Sequence, residues 1–321
     1  MPQMNGMSVR FGPPPAVTQY PAVRVASHDF APKNWLDSMP KTGLERILVM
    51  RNMGLGDVLM VTPIIRHLAQ LGRVVHMATE PRYMVLFDHN PYVSEILDIN
   101  TVDRSQYIYT LDFREYAEQP WNQEQHRVKA FADGCHIELN NYNLDYFISP
   151  EEAATVPAIP SNFITFVWSS STSARNWNLK TLQANIKALC DDGWIIGLLH
   201  QEEIDPGFSH VNLRNMSGKL SLREVALMIN ASACTITPDT GLFHLASALG
   251  KKIIAYFGSF PVEDRQTHGN VFLVNQPEKQ PCYPCRAYHC PYMAGTTKCA
   301  PCLEVSAAQL LQKVHEVCGK P

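Results

Sequence analysis

The chain has 321 residues, 45% of them hydrophobic, and sets 27 Lys and Arg against 30 Asp and Glu for a formal charge of -3. That length suits two domains of ordinary size, each with its own core, and the near-neutral balance excludes the basic footprint of a nucleic-acid-binding surface. No apolar run is long enough to span a bilayer, and stretches such as WIIGLL are strand-length. No basic start followed by an apolar h-region opens the chain, so a cytoplasmic location is expected, at most peripheral to the inner membrane.

In chain order, residues 1–43 are proline-rich, include Pro13, Pro14 and Pro15, and show no periodicity. They read as an extended arm, with an oligomer contact as the alternative. A first unit over 44–150 opens with the apolar run Ile47 to Met50, the pattern of a parallel strand covered on both faces. The loop RNMGLGD follows. Next comes a helix that starts near Thr62, buries Ile64, Ile65, Leu68 and Leu71, and stops at Gly72. VVHMAT, SEILDI and QYIYTLDF are predicted strands, and HRVKAFADG a helix closing this half. Residues 149–162 (SPEEAATVPAIPSN) read as an interdomain linker. The second unit, 160–321, alternates strands FITFVW, WIIGLL, CTIT and KIIAYFG with helices starting at Asn178, Ser221 and Gly241, and ends on a C-terminal helix. The fold class is therefore α/β with two Rossmann-like units, and a ligand belongs in the cleft at the C-terminal ends of their strands.

The stretch TPDTGLFHLASALG leaves strand CTIT through a turn at Pro238 and Asp239. Thr240 is the expected N-cap. Leu242, Leu245, Ala246 and Leu249 define a buried face, and Gly250 ends the helix. The first amides have no intrahelical partner and carry the positive end of the helix dipole, while Gly241 clears the approach for a phosphate. Asp239 offers an acceptor for sugar hydroxyls and His244 a donor to an anionic oxygen. The plainer reading makes Thr240 a cap and His244 a half-buried surface histidine.

After the first strand, Gly54 and Gly56 suggest a dinucleotide loop, but Leu59 stands where the third glycine of G-x-G-x-x-G belongs, and no phosphate-binding Walker sequence is present. Asp57 is either a helix cap or a carboxylate at the cleft mouth that takes a proton from an alcohol, and spacing leaves both open. On the acceptor side, Arg114, Tyr116, Trp121 and His126 fit a sugar or phosphate, and equally an ordinary loop.

Taken together, ILVMRNMGLGDVLMVTPIIRHL, HRVKAFADGCHIELNNYNLDYFIS, SARNW, GKLSLREVALMINASACTITPDTGLFHLASALGKKIIAYFG and CYPCRAYHCP resemble, in order, the heptosyltransferase-type glycosyltransferases of family 9 over residues 45 to 315. The resemblance implies a GT-B fold and inverting transfer from a nucleotide-sugar, typically ADP-heptose, without a catalytic metal. It implies Asp57 as the base, Thr240, Gly241 and Leu242 as the diphosphate-binding helix start, and Asp239 and His244 as donor contacts. Arg175 in SARNW replaces a lysine found in many relatives. It still neutralises phosphate, though the two side chains are not equivalent. Ser171 and Thr172 share its loop, while Leu220 and Glu202 (or Glu203) are expected around the nucleoside.

Five of the nine cysteines crowd into 282–302. Cys282 with Cys285 and Cys299 with Cys302 form two C-x2-C pairs, with Cys290 between them, a pattern for a structural zinc or iron, the alternative being free thiols. The expected partners are a nucleotide-sugar, most simply an ADP-sugar, and an acceptor that is a glycan, a lipid-linked sugar or a protein hydroxyl, with no nucleic acid and at most transient contact with a membrane surface. Competing functions are a nucleotide-sugar epimerase or hydrolase on the same architecture, and a non-catalytic sugar-nucleotide-binding module.

Overall fold

A computed structural model describes residues 34–39, 46–107, 109–114, 116, 125–290 and 300–321. Within the proline-rich arm, residues 34–39 depart from the expected loose segment: Trp35–Ser38 form a short helix (α1). Trp35 is fully buried, its indole donates to the Cys135 carbonyl at 2.7 Å, and its ring lies 4.9 Å from that of Tyr109. Burying an aromatic surface with its N–H satisfied is enough to dock a short segment that has no periodicity of its own.

The first sheet contains β1 (Arg46–Met50), β2 (Val74–Thr79), β3 (Glu95–Asp98) and β4 (Tyr109–Asp112) in the order β3-β2-β1-β4, all parallel. Its connections carry α2 (Leu55–Leu59), α3 (Thr62–Gln70) and α4 (Pro81–Met84), and α5 (Arg127–Gly134) follows β4. Ile64, Ile65 and Leu68 of α3 are buried as their spacing requires. Leu71, expected on the same face, is instead 53% exposed, because it is the C-cap residue and the chain turns away at Gly72 (φ 76°).

The expected linker is not irregular throughout. Pro150–Thr155 form α6, started by a capping box in which Ser149 accepts from the Glu152 amide and Glu152 from the Ser149 amide. Reciprocal capping satisfies two orphan amides and stabilises even a six-residue helix. Arg223 then grips Glu152 and donates to the Phe147 carbonyl at 3.0 Å, tying this helix to the second unit.

The second sheet contains β5 (Phe163–Val167), β6 (Ile195–Leu199), β7 (Leu213–Asn215), β8 (Cys234–Pro238), β9 (Ile253–Tyr256) and β10 (Val271–Leu273), all parallel, in the order β10-β9-β8-β5-β6-β7. Its helices are α7 (Leu179–Asp191), α8 (Leu222–Ala231), α9 (Gly241–Ala248) and α10 (Ala307–Cys318). Strands β7 and β10, the three-residue edges, were not anticipated from the sequence. They are too short to show a period of their own and exist because an inner strand offers them a hydrogen-bonding edge. In each sheet the winding reverses once, between β1 and β4 and between β5 and β8, and a ligand of such a sheet belongs outside the carboxyl ends of those strands. One apolar cluster continues from the first sheet into the second, joining Ile47, Val58 and Leu59 to Phe243, Leu245 and Phe257. Among the described residues, no helix is long and apolar enough to cross a membrane.

Candidate active site

Both reversal points carry the residues singled out from the sequence, and they meet. At the first, β1 hands over to Arg51, which is fully buried. Its guanidinium donates to the carbonyls of Phe113 (2.6 Å) and Arg114 (3.0 Å) at the end of β4, and to Asp57 Oδ1 at 2.9 Å. Its carbon also lies 5.5 Å from the centre of the Phe131 ring. Asp57, in the first turn of α2, keeps 31% of its side chain exposed. Burial pushes its pKa up, but the charges of Arg51 and Arg127 and the hydrogen bond from Arg51 outweigh that, so it lies below the ordinary carboxylate value. The carboxylate is thus ionised at neutral pH. Gly54, the N-cap of α2, and Gly56 shape the backbone on either side. A Cβ on Gly54 would stand 3.2 Å from Asp57 Oδ2.

At the second reversal point, β8 delivers Asp239 and Thr240 to the start of α9. Thr240 has extended N-cap geometry (φ -151°, ψ 171°), yet its hydroxyl makes no capping bond, contrary to the expected role. The first amides of α9 therefore lack that side-chain partner, which suits an external anion. The buried face is also wider than its spacing implies: Phe243 through Ser247 are all buried, while Leu242 and Leu249 are only partly so. His244 is not a surface histidine. It is 5% exposed, and burial pushes its pKa down to about 4, so the ring is neutral at physiological pH.

The two halves touch directly at α2 and α9. A Cβ on Gly56 would lie 2.3 Å from His244 Cδ2, and one on Gly241 would lie 2.9 Å from Leu55 Cβ. α2 and α9 thus meet along a glycine seam, because both facing positions lack side chains.

Arg175 follows β5 in a 3-10 turn over Ser173–Arg175. Its Nε stands 3.3 Å from Asp239 Oδ2 and its Nη1 donates to the Asp239 carbonyl at 3.2 Å. The loop holding Ser171 and Thr172 is shaped by Asn176, which sequence reasoning passed over: its side chain accepts from the Ser170 amide (2.7 Å) and donates to the Ser170 carbonyl (2.8 Å). Ser171 is exposed and Thr172 partly so. Glu202 is exposed beyond the end of β6, and Leu220 is partly buried. The structure brings their segments together, since a Cβ on Gly218 would fall 2.5 Å from the Glu203 amide nitrogen.

The acceptor-side residues are mostly engaged within the protein. Arg114 pairs with Asp112 through two hydrogen bonds (2.9 and 2.6 Å), and Tyr116 packs against Gly134. His126 caps α5 and reaches the Gln266 carbonyl (2.9 Å) across the two units. Trp121 lies outside the described residues.

The sulfurs gather next to the Arg175 turn, whose guanidinium lies 5.7 Å from the centre of the Tyr288 ring. Cys282, Cys285, Cys290 and Cys302 line a pocket of about 160 Å³ together with Ala174 and Ser259. Burial, then the neighbouring Cys290, Cys285 and Cys282, raise the Cys302 thiol to about 12, so these four groups sense one another. Soft thiol donors around one pocket suit zinc or iron. Among the described residues, however, no group of three or more His, Cys, Asp or Glu side chains stands in a metal-holding arrangement. Cys299 lies outside the described residues.

Two facing Rossmann-like sheets whose ligand edges abut constitute the GT-B fold, the architecture of sugar-nucleotide-dependent transferases, and solved structures of that fold match this chain. E. coli ADP-heptose LPS heptosyltransferase II superposes with a TM-score of 0.65 at 14% identity, covering 85% of this chain and 98% of that one. The dodecameric iron-containing heptosyltransferase TibC, solved in complex with ADP-D-beta-D-heptose, gives 0.67 at 16% identity over 84% of this chain and 76% of its own. The profile of glycosyltransferase family 9 (heptosyltransferase) matches residues 59–294, and the chain belongs to that family. Lipopolysaccharide heptosyltransferase 1 of E. coli K12 is 27% identical over 147 residues, 42% of this chain, a match that spans less than half (45%) of that relative.

Proposed function

We propose that the protein is an inverting glycosyltransferase that moves a heptose, or a closely similar sugar, from an ADP-sugar to a hydroxyl acceptor. The contact between α2 and α9 supports this reading: it joins the helix that bears Asp57, an ionised carboxylate, to the helix whose start Thr240 leaves without a side-chain cap. Asp57 takes the acceptor hydroxyl proton as the oxygen bonds to the anomeric carbon. The bond from that carbon to the diphosphate breaks on the opposite face, and ADP departs. The amides at Thr240, Gly241 and Leu242, with Arg175, would take up the charge that develops on the leaving group. Asp239 and His244 would contact the donor, Ser171 and Thr172 its phosphates, and Glu202 and Leu220 the nucleoside. The donor preference is supported by the family and by a structural neighbour solved with ADP-D-beta-D-heptose. The acceptor class, whether glycan, lipid-linked sugar or protein hydroxyl, is to be read from product masses with panels of acceptors and of ADP-, GDP- and UDP-sugars.

Asp57→Asn tests the mechanism: it should lower turnover about 10²–10⁴-fold, the usual contribution of a general base, while ADP binding persists. A variant of near-normal rate removes Asp57 from this role. Donor incubated without acceptor should stay intact, whereas rapid hydrolysis or epimerisation would favour the other enzyme class on this architecture.

The cysteine pocket, which borders the Arg175 turn at Ala174, is assigned a structural role. Cys282, Cys285, Cys299 and Cys302, with Cys290 as the alternative ligand, would hold a structural zinc or iron that clamps the segment after β10, and a neighbour described as iron-containing supports this. Elemental analysis of the purified protein should find close to one equivalent. Only traces would leave the sulfurs as free thiols.

A further inference from the structure

We infer that Arg265, in the turn after β9, is a second cation for the donor's diphosphate, acting beside Arg175. This rests on the donor-site reading above and adds a residue to it. Arg265 is 6% exposed, an expensive position for a charge unless something balances it. Among the described residues, its Nη1 reaches the Asp264 carbonyl at 3.3 Å and its Nε stands 4.0 Å from Asp239 Oδ2, the same oxygen that Arg175 approaches at 3.3 Å. Both guanidinium groups rest on one buried ring, with the Phe260 centroid 5.1 Å from Arg175 and 5.0 Å from Arg265.

The nearby charges leave this pair under-compensated. Among the described residues, Asp57 pairs with Arg51 and Asp264 with Arg286, while Glu263 is exposed, so the carboxylate that Arg175 and Arg265 both approach is that of Asp239. Among the described residues, Arg175 Nε and Asp239 Oδ2 meet only as the 3.3 Å ion pair, without a hydrogen bond, and His244 Nδ1 makes no hydrogen bond; Asp239 and His244 are more than nine-tenths buried. Buried groups of this kind ordinarily have partners, and a cluster of them marks a place prepared for a ligand. An excess of positive charge with spare donors calls for a multiply charged anion, and the helix start at Thr240 faces the same cluster. A diphosphate meets all of these demands, and a guanidinium grips its oxygens bidentately. The turn is also held across the units, since Gln266, next in the chain, receives the hydrogen bond from His126.

The test is binding of ADP and of adenosine, measured calorimetrically to the full chain. Arg265→Met keeps the stem that packs on Phe260 and removes the charge. It should weaken ADP about 10- to 100-fold, the loss expected for a charge-assisted contact, and leave adenosine binding and thermal unfolding unchanged. Arg265→Lys should recover part of the ADP affinity. Unchanged ADP affinity in Arg265→Met overturns the inference, as does an equal loss of adenosine and ADP, which would mark Arg265 as a packing residue. Failure of the unaltered protein to bind ADP at all would instead count against the donor-site reading itself.

Discussion

Asp57 and His244 show how little of a residue's chemistry its local sequence carries. Asp57 was legible as a carboxylate at a strand-to-helix turn, and cap and base were both open readings. Its ionisation is set by Arg51 and Arg127, of which only Arg51 is a chain neighbour. Arg51 itself reads as an ordinary loop charge, because the Phe113 and Arg114 carbonyls that justify its burial arrive from β4. Arg51→Met should therefore raise the Asp57 pKa and move the acid limb of the pH–rate profile upward. An unmoved limb would mean that Asp57 does not govern that limb. His244 yields a stability prediction. Its folded pKa is pushed down to about 4 from 6.5, chiefly by burial; Arg265 and Arg175 lower it further, while Asp239 and Asp57 act to raise it. Below about pH 6.5 the unfolded chain binds a proton that the fold refuses until about pH 4. Stability is thus fully present above the unfolded value and is lost as pH falls through that window, by roughly 3 kcal/mol. Urea unfolding across pH 4–7 should show this loss in the native chain and a smaller one in His244→Gln. Equal slopes would place the ring in contact with water.

At the scale of elements, helices with strong periodicity were the easiest to anticipate, and short elements held by neighbours the hardest. α7 and α8 start where Asn178 and Ser221 accept from backbone amides, signals written within a few residues. α6 carried the same kind of signal in Ser149 and Glu152, but the prolines around it made the segment look like a linker. α1 and the edge strands β7 and β10 have no such signal and depend on the surface that receives them. Trp35→Ala should accordingly cost about 3–5 kcal/mol, as for other buried aromatic truncations, in chemical unfolding. A cost under half that would mean that the segment is dispensable. The α2–α9 contact depends on two absent side chains. Gly56→Ala would drive a methyl into His244, so a destabilisation of about 1–3 kcal/mol is expected. Its effect on turnover should exceed that of an alanine at Gly72, where a new Cβ meets nothing within 4 Å, although Gly72 has a positive φ. Equal effects would show that the seam does not position Asp57.

For the whole molecule, alternation of strand and helix and buried parallel runs identified two Rossmann-like units, and the motifs at their ends supplied the candidate site residues. These signals are local, because strand and helix periods, caps and turn residues act within one or two turns of chain. The sequence alone therefore determined the strongly periodic strands and helices, and that a helix start and a carboxylate stand at strand ends, but not the short elements α1, α6, β7 and β10. Only the tertiary structure decided that the two reversal points touch through Gly56 and Gly241, that Arg265 joins Arg175 at Asp239, that Glu152 meets Arg223, and that Cys290 shares its pocket with Cys282, Cys285 and Cys302. Each of these is a meeting of charges, thiols or bare backbone carried on different segments. Local periodicity holds no record of such meetings, because they are selected by burial and electrostatics once the sheets have packed.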